Sequence, residues 1–252
     1  VARINTALNS MLDSLELAFG QRGKALEQMR RFVSDASHEL RTPLASVRGY
    51  AELYRMGALT KKKDLTDAMS RIESEAVRMT ELVENLLVLA RLDEKAEISK
   101  ASTDLVAMAV EAGKDISLNT GVKVKVSDLA GEQIKSLEAK VDAGAIRQVL
   151  INLLTNAARF SPKNKPVTAA FGRVGTTTVI EVRDQGIGIP ENLRYKVFER
   201  FYRADNSRNR ETGGSGLGLS IVSTIVERHE GEIVADETVG GGATFRVTLP
   251  VA

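Results

Sequence analysis

The chain has 252 residues, of which 43% are hydrophobic and 27% charged, which is enough for two modest domains with hydrophobic cores. Its formal net charge of +2 gives no reason to expect a nucleic-acid partner or a polybasic membrane anchor. The absence of cysteine excludes disulfides and thiolate metal sites, and two histidines, His38 and His229, argue against a zinc site.

The beginning of the sequence predicts helix. A coiled-coil seam is indicated by apolar residues at alternating spacings of four and three, namely Ile4, Leu8, Met11, Leu15 and Ala18. The pattern loosens at Gly20 and Gly23, and a second helical register starts near Lys24. Because the chain starts at Val1, inside this pattern and without a Met, we expect a fragment of a longer protein. No run approaches the roughly 18 consecutive apolar residues of a membrane helix.

A helical hairpin is predicted for the rest of the first third. A glycine and three lysines break the period at Gly57–Lys63, and a long apolar seam follows from Leu65 to Ala90. A lone hairpin would expose much of its apolar stripe, whereas two hairpins paired as a four-helix bundle would bury it. The pattern therefore predicts a homodimer.

The second part of the chain predicts an α+β domain. We place the domain boundary in the polar, aperiodic segment Glu97–Ser102. The predicted helices are Asp104–Leu118, Asp142–Phe160 and Gly216–Arg228; the predicted strands are Val122–Val126, Val167–Val174, Thr176–Arg183, Glu232–Ala235 and Ala243–Leu249.

His38 is the first candidate for chemistry. A neutral imidazole can attack a phosphorus centre if one ring nitrogen keeps its lone pair, and Glu39 can hold the proton of the other nitrogen. Thr42 lies four residues on, hence on the same helix face as His38. Pro43 cannot donate to the carbonyl of Glu39, so we expect a bend there. The simpler alternative is an ordinary surface histidine.

A second group of polar residues lies on the helix predicted for Asp142–Phe160. Asn152 and Asn156 are four residues apart, with Gln148 one turn earlier. Carboxamide oxygens suit Mg²⁺, which takes few protein ligands and completes its shell with phosphate oxygens and water. Arg159 would then meet phosphate. The alternative is a polar helix surface.

Two glycine-rich segments complete the candidates. Asp184–Pro190 ends a strand in a turn, where a carboxylate could accept the exocyclic amine of adenine. Gly213–Leu219 opens a helix, where backbone N–H groups can hold phosphates. The second segment is neither a Walker loop nor a dinucleotide fingerprint, because no Gly-Lys-Ser/Thr follows and the glycine spacing differs.

Taken together, the motifs resemble those of the sensor histidine kinases of bacterial two-component systems, over nearly the whole chain. They match, in order, the phosphoacceptor box (His38–Leu44), the asparagine box (Asn152–Ser161), the first glycine box (Asp184–Ile189), the phenylalanine box (Phe198–Tyr202), the second glycine box (Gly214–Leu219) and the closing strand (Gly242–Phe245). Residues 1 to about 20 resemble the second helix of a HAMP linker, which in this family follows a transmembrane segment.

The resemblance implies an architecture. It is an α+β multidomain fold, with a dimeric antiparallel four-helix bundle and an α/β-sandwich ATP-binding domain of the GHKL type. The implied domains are a HAMP linker or coiled coil at 1–23, a dimerisation and histidine phosphotransfer hairpin at 24–96, and a catalytic ATP-binding domain at 103–252.

The resemblance also implies residue roles. His38 would be the phosphoacceptor, Glu39 its acid/base partner, and Thr42 a residue that removes phosphate from a partner regulator. Asn156 would ligate Mg²⁺ with support from Asn152. The other nucleotide-binding residues would be Asp184, which reads adenine, and Arg159, Phe160, Gly186, Gly188, Gly214, Gly216, Leu217, Gly218 and Thr244. His229 stands at a helix end, where a partial positive charge suits the dipole, and we expect it to be structural.

The implied function is an ATP-dependent protein-histidine kinase that passes phosphate from His38 to an aspartate of a response regulator. Its place would be the cytoplasmic face of the bacterial membrane, the fragment itself being soluble. Two alternatives stay open. A GHKL-type ATPase would carry a water-activating Glu where Asn152 stands, and an amide cannot act as a base. A non-enzymatic coiled-coil scaffold would not need intact nucleotide motifs or His38.

Overall fold

The computed structural model describes residues 2–93, 98–203 and 214–251, and the chain divides into two compact units, Val1–Thr80 and Glu81–Ala252. Two residues of the predicted motifs and boundaries, Glu97 and Gly213, lie outside the described residues. So do the side chains of the predicted coiled-coil seam. Within the described residues no helix is both long and apolar enough to cross a membrane.

The first unit contains helix α1 (Ala2–Arg55) and the first part of helix α2 (Lys62–Asp93). Gly57, with φ of 71°, ends α1 at the predicted turn, and its N–H donates to the carbonyl of Tyr54. The predicted hairpin is therefore confirmed. The register change at Gly20 does not interrupt α1, because a glycine inside a helix costs only about 1 kcal/mol. α1 also continues through Pro43.

The hairpin leaves many large apolar side chains exposed. In the first unit these are Leu26, Met29, Val33, Leu44, Leu53, Tyr54, Met56, Met69 and Val77. An isolated hairpin in water would gain by covering them, at roughly 25 cal/mol per Å² of apolar surface. This exposure is what the prediction of a paired bundle requires.

The second unit is an α/β sandwich. Its five-stranded sheet has the order β2-β4-β5-β7-β6, formed by β2 (Val124–Asp128), β4 (Val167–Val174), β5 (Thr177–Arg183), β6 (Glu232–Glu237) and β7 (Ala243–Pro250). Helices α3 (Leu105–Thr120), α4 (Ala143–Phe160) and α5 (Gly218–Arg228) pack against this sheet. The predicted α+β fold class, a helical hairpin with an α/β sandwich, is confirmed.

A separate two-stranded sheet was not predicted. It pairs β1 (Ala101–Asp104) with β3 (Glu138–Val141) in antiparallel register. Ser102, placed in the polar boundary segment, therefore belongs to a strand. Four residues are too few to reveal an alternating pattern, and only Val141 of β3 is a buried hydrophobic residue.

Aspartates set the starts of two helices. Asp104 Oδ1 accepts the N–H groups of Val106 and Ala107, and Asp142 Oδ1 accepts that of Ala145. Both residues, predicted as the first helical residues, are N-caps instead. α5 likewise begins at Gly218 rather than at the predicted Gly216.

His229 caps the C-terminus of α5 and is buried, with 3% of its surface exposed. Its Nδ1 lies 2.8 Å from the carbonyl oxygen of Ile225, and its Nε2 accepts the N–H of Asp142 at 3.1 Å. These partners fix the neutral tautomer with the proton on Nδ1. The expected partial positive charge is therefore wrong, because Nε2 accepts a hydrogen bond rather than donating one. The ring instead ties the end of α5 to the start of α4.

Glu181 is a buried charge in the central strand β5. Its Oε1 accepts from Arg246 Nε at 2.7 Å and its Oε2 accepts from Arg183 Nε at 2.8 Å. Burial favours the protonated carboxyl, but the hydrogen bonds from Arg246 and Arg183 and the positive charges of these two residues together outweigh it and hold the pKa of Glu181 below its ordinary value of 4.5. The ion pairs therefore compensate this buried charge.

Candidate functional site

Asp184 follows β5 directly and is buried, with 3% of its surface exposed. Its Oδ1 accepts the N–H groups of Gly186 and Ala243, both at 2.9 Å. Burial raises the pKa of the Asp184 carboxyl above its ordinary value, and the two N–H donors offset this only in part. No donor among the described residues reaches Oδ2, so one oxygen remains available to an external donor.

Glycines let the backbone close around Asp184. A Cβ on Gly242, which has φ of 109°, would collide with the carbonyl oxygen of Asp184. A Cβ on Gly186 would lie 2.5 Å from the carbonyl oxygen of Phe160, at the end of α4. The turn after β5, the start of β7 and the end of α4 therefore approach one another through positions where only glycine fits.

The two asparagines of α4 have different surroundings. Asn152 Nδ2 donates to the carbonyl of Gly218 at 3.1 Å, and its Oδ1 accepts from Gln148 Nε2 at 3.0 Å. Asn156, one turn later, is partly buried and makes no side-chain hydrogen bond within the described part of the chain. Asn152 therefore fixes the start of α5 against α4, whereas the Asn156 carboxamide is available to a ligand.

The glycine-rich segment leads into α5. Gly216 has φ of 71°, and its carbonyl accepts the N–H of Phe201 at 3.0 Å. A Cβ on Gly216 would lie 2.9 Å from the carbonyl carbon of Phe201. Leu217 is fully buried and anchors the loop, and among the described residues no side chain caps the first N–H groups of α5. Uncapped N–H groups at a helix start can receive an anion.

Arg159 and Phe160 lie where α4 meets these loops. A Cβ on Gly214 would be 2.6 Å from Arg159 Nη1, so the guanidinium lies beside the glycine-rich segment. Its central carbon is 5.5 Å from the centre of the Phe160 ring. Thr244 is buried, and its hydroxyl oxygen is 2.9 Å from that of Thr238. Thr244 directly follows Ala243, whose N–H donates to Asp184, and the Thr244 hydroxyl is already hydrogen-bonded to Thr238.

The predicted nucleotide residues thus converge on one helix. The end of α4 approaches the Asp184 turn, and its Asn152 and Arg159 approach the segment that opens α5. Gly188, with φ of 73°, also lies close to Gly242. The sequence did not single out the N–H of Ala243, although the run of glycines at 240–242 was a signal for a close backbone approach here.

The predicted phosphoacceptor segment, His38–Leu44, lies in the first unit. His38 is exposed on α1, whereas Glu39 is partly buried and lies 3.6 Å from Arg78 of α2. No hydrogen bond joins Glu39 to the His38 imidazole in the described structure. The Thr42 hydroxyl donates to the carbonyl of His38 at 3.4 Å. The sequence pattern did not reveal Arg78, because only the fold brings it to Glu39.

A buried carboxylate with one uncommitted oxygen, an uncommitted carboxamide and an uncapped helix start are features of a nucleotide-binding α/β sandwich. Two sequence profiles agree. The profile described as "His Kinase A (phospho-acceptor) domain" matches residues 28–95, and that described as "Histidine kinase-, DNA gyrase B-, and HSP90-like ATPase" matches residues 141–252.

Individual relatives indicate the same class of protein. The probable sensor histidine kinase TcrY of Mycobacterium tuberculosis is 41% identical over 252 residues, which is 100% of this chain and 52% of that protein. The full-length structure of ShkA with AMPPNP is 27% identical, with a TM-score of 0.59 over 86% of this chain and 44% of that chain. The histidine kinase ThkA in complex with the response regulator TrrA has a TM-score of 0.73 over 92% of this chain and 64% of that chain. At 20% identity this likeness concerns the fold alone.

The chain therefore belongs to the sensor histidine kinases of bacterial two-component systems. It spans about half the length of such curated relatives. Its second unit carries the family's ATP-binding domain.

Proposed function

We propose that the chain uses ATP to phosphorylate His38 and then transfers the phosphoryl group to an aspartate of a response regulator. The observation that carries the proposal is Asp184. A buried carboxylate with one oxygen held by two backbone N–H groups leaves the other oxygen for a single donor, such as the amine of adenine. The exposed His38 in the same chain provides the acceptor.

The chemistry of His38 follows from its ring. Nε2 attacks the γ-phosphorus, the new N–P bond forms, and the bond from phosphorus to the ADP oxygen breaks. Glu39 holds the proton on Nδ1 and so keeps the lone pair on Nε2. The resulting phosphoramidate is reactive, which suits onward transfer to a carboxylate.

Asn156 fits Mg²⁺. Its carboxamide is partly buried and unbonded within the described structure, and Mg²⁺ accepts one or two protein oxygens with water and phosphate oxygens completing the shell. Mg²⁺ bound there would neutralise charge on the phosphates. Asn152 holds the start of α5 and would contribute through position rather than as a ligand.

The same geometry argues against the hydrolytic alternative. The Asn152 carboxamide is engaged by Gln148 and by the carbonyl of Gly218. An amide has no basic lone pair at neutral pH, so this position cannot activate a water for attack on ATP. We therefore favour the kinase over a GHKL-type ATPase.

The wider assembly is also part of the proposal. The exposed apolar side chains of the hairpin support a homodimer through a four-helix bundle. Residues 1–23 would continue a HAMP linker that connects to a membrane-anchored sensor at the cytoplasmic face. Thr42 would assist removal of phosphate from the regulator.

Incubation with γ-³²P-labelled ATP and Mg²⁺ distinguishes the proposal from its alternatives. A kinase gives protein-bound phosphate that is lost in acid and survives base, as a phosphoramidate does. An ATPase releases phosphate without labelling the protein, and a scaffold does neither. Acid-stable label would point to Ser or Thr and would contradict the proposal.

A further inference from the structure

Arg78 of α2 lies against two carboxylates of the helical unit. Its Nη2 is 3.6 Å from Glu39 Oε2, and its Nη1 is 3.9 Å from Glu75 Oε2. The side chains are 19% (Arg78), 31% (Glu39) and 25% (Glu75) exposed, so water screens this cluster only in part. Glu75 Oε2 is itself fully buried and has no hydrogen-bond partner among the described residues. Two partly buried carboxylates therefore share one guanidinium.

The ion pair of Glu39 with Arg78 competes with the proposed hydrogen bond of Glu39 to His38 Nδ1. Glu39 directly follows His38 on α1, and adjacent helical residues do not face each other. His38 is exposed, whereas Glu39 is turned towards α2. To hold the proton on His38 Nδ1, the Glu39 carboxylate has to turn away from Arg78.

We propose that Arg78 is a positioning residue that holds Glu39 on the α2 side of the hairpin and thereby restrains phosphorylation of His38. The inference rests on the proposed function. Arg78 acts only through Glu39 and touches no reacting atom. At 3.6 Å the contact is longer than a hydrogen bond, so a small shift of α1 against α2 is enough to release Glu39.

Glu75 adjusts the strength of this restraint. It draws on the same guanidinium from its own helix, one turn away. Removing the Glu75 charge leaves the whole guanidinium to Glu39 and strengthens the restraint. Removing the Arg78 charge releases Glu39 and makes the state of Glu75 irrelevant to the reaction. The two substitutions therefore have opposite effects.

The test measures initial rates of His38 labelling at varied ATP for the 252-residue chain. Partly exposed ion pairs shift an equilibrium by roughly 2- to 5-fold, so Arg78→Gln raises kcat by about that factor and leaves KM for ATP unchanged. Glu75→Gln lowers kcat by up to about the same factor. Glu75→Gln added to Arg78→Gln produces no further change. Arg78→Lys, which keeps the charge, stays close to the wild-type rate.

Arg48→Gln is the matched control, since it breaks an exposed ion pair with Glu52 on α1 and leaves the rate unchanged. A lower kcat together with a lower melting temperature in Arg78→Gln would assign Arg78 a structural role and overturn the inference, as would an unchanged rate. If Arg78→Gln does not fold, Glu75→Gln decides alone, and a rate that does not fall overturns it. Absence of His38 labelling in the wild type would instead overturn the proposed function and the inference with it.

Discussion

Replacing Asp184 with asparagine separates the binding role of this residue from its structural role. The asparagine keeps the size of the side chain, and its Oδ1 can still accept the N–H groups of Gly186 and Ala243. Nδ2 then takes the place of the available Oδ2. Two donors, Nδ2 and the adenine amine, would face each other where a charge-assisted hydrogen bond is proposed in the wild type.

The magnitude follows from the bond that is lost. A hydrogen bond to a charged group contributes about 1.5 to 3 kcal/mol, which corresponds to roughly 10- to 150-fold in affinity. The opposed donors favour the upper half of that range. We therefore expect Asp184→Asn to weaken ATP binding by roughly 40- to 150-fold.

The substitution that weakens ATP binding should not lower the stability of the ligand-free protein. Because the pKa of Asp184 is raised in the folded protein, the ionised carboxylate costs stability as pH rises above its ordinary value of 3.8. Asparagine has no such cost. At pH 7 the ligand-free variant should therefore unfold at the same temperature as the wild type or at a higher one.

Isothermal titration with ATP and thermal unfolding without ligand measure the two effects on one preparation. Asp104→Asn is a suitable control, because asparagine is as good an N-cap as aspartate and should leave both measurements unchanged. Loss of stability together with binding would make Asp184 a structural residue. Unchanged affinity would refute its role in reading adenine.

Three further substitutions test other parts of the account. Glu181→Gln should lower the free energy of unfolding at pH 7, because it removes the charge that pairs with Arg183 and Arg246. The loss should be about 1 to 2 kcal/mol, because both arginines are exposed enough to regain water. Since the folded pKa of Glu181 lies below 4.5, this difference should shrink as pH falls below that value in melting experiments. Gly242→Ala should weaken ATP binding and cost about 1 to 3 kcal/mol by colliding with the Asp184 carbonyl. Gly241→Ala, with a similar φ and open space, isolates that collision, so equal effects on ATP affinity would contradict it. Thr42→Ala should keep phosphorylation of the kinase near normal but slow dephosphorylation of the regulator by roughly 10- to 1000-fold. Parallel losses of both activities would reduce Thr42 to a structural residue that donates to the helix backbone.

The fold could largely be predicted where periodicity was strong. The hairpin of α1 and α2 and the strands β4, β5 and β7 stand out because each repeats an apolar pattern over several turns or positions. β1 and β3 were missed because four residues carry no readable period. The register change at Gly20 suggested a break in α1 that the backbone does not make.

The candidate site also has a part that the sequence could predict and a part that depends on the fold. Motif spacing was enough to select Asp184, Asn156 and the glycines, which the fold brings together around α4. The contact of Arg78 with Glu39 depends on how α1 and α2 pack, and spacing along one helix cannot predict it. The neutral state of His229 likewise depends on the N–H of Asp142, which is far away in sequence.

Labelling of His38 decides whether this residue accepts the phosphoryl group from ATP. The wild type and His38→Gln are incubated with γ-³²P-labelled ATP and Mg²⁺, and ATP affinity is measured on the same samples. We predict acid-labile label on the wild type, none on His38→Gln, and ATP affinity within a few-fold in both, because His38 belongs to a different unit from the nucleotide residues. Label that persists in His38→Gln would contradict the assignment of His38 as the phosphoacceptor.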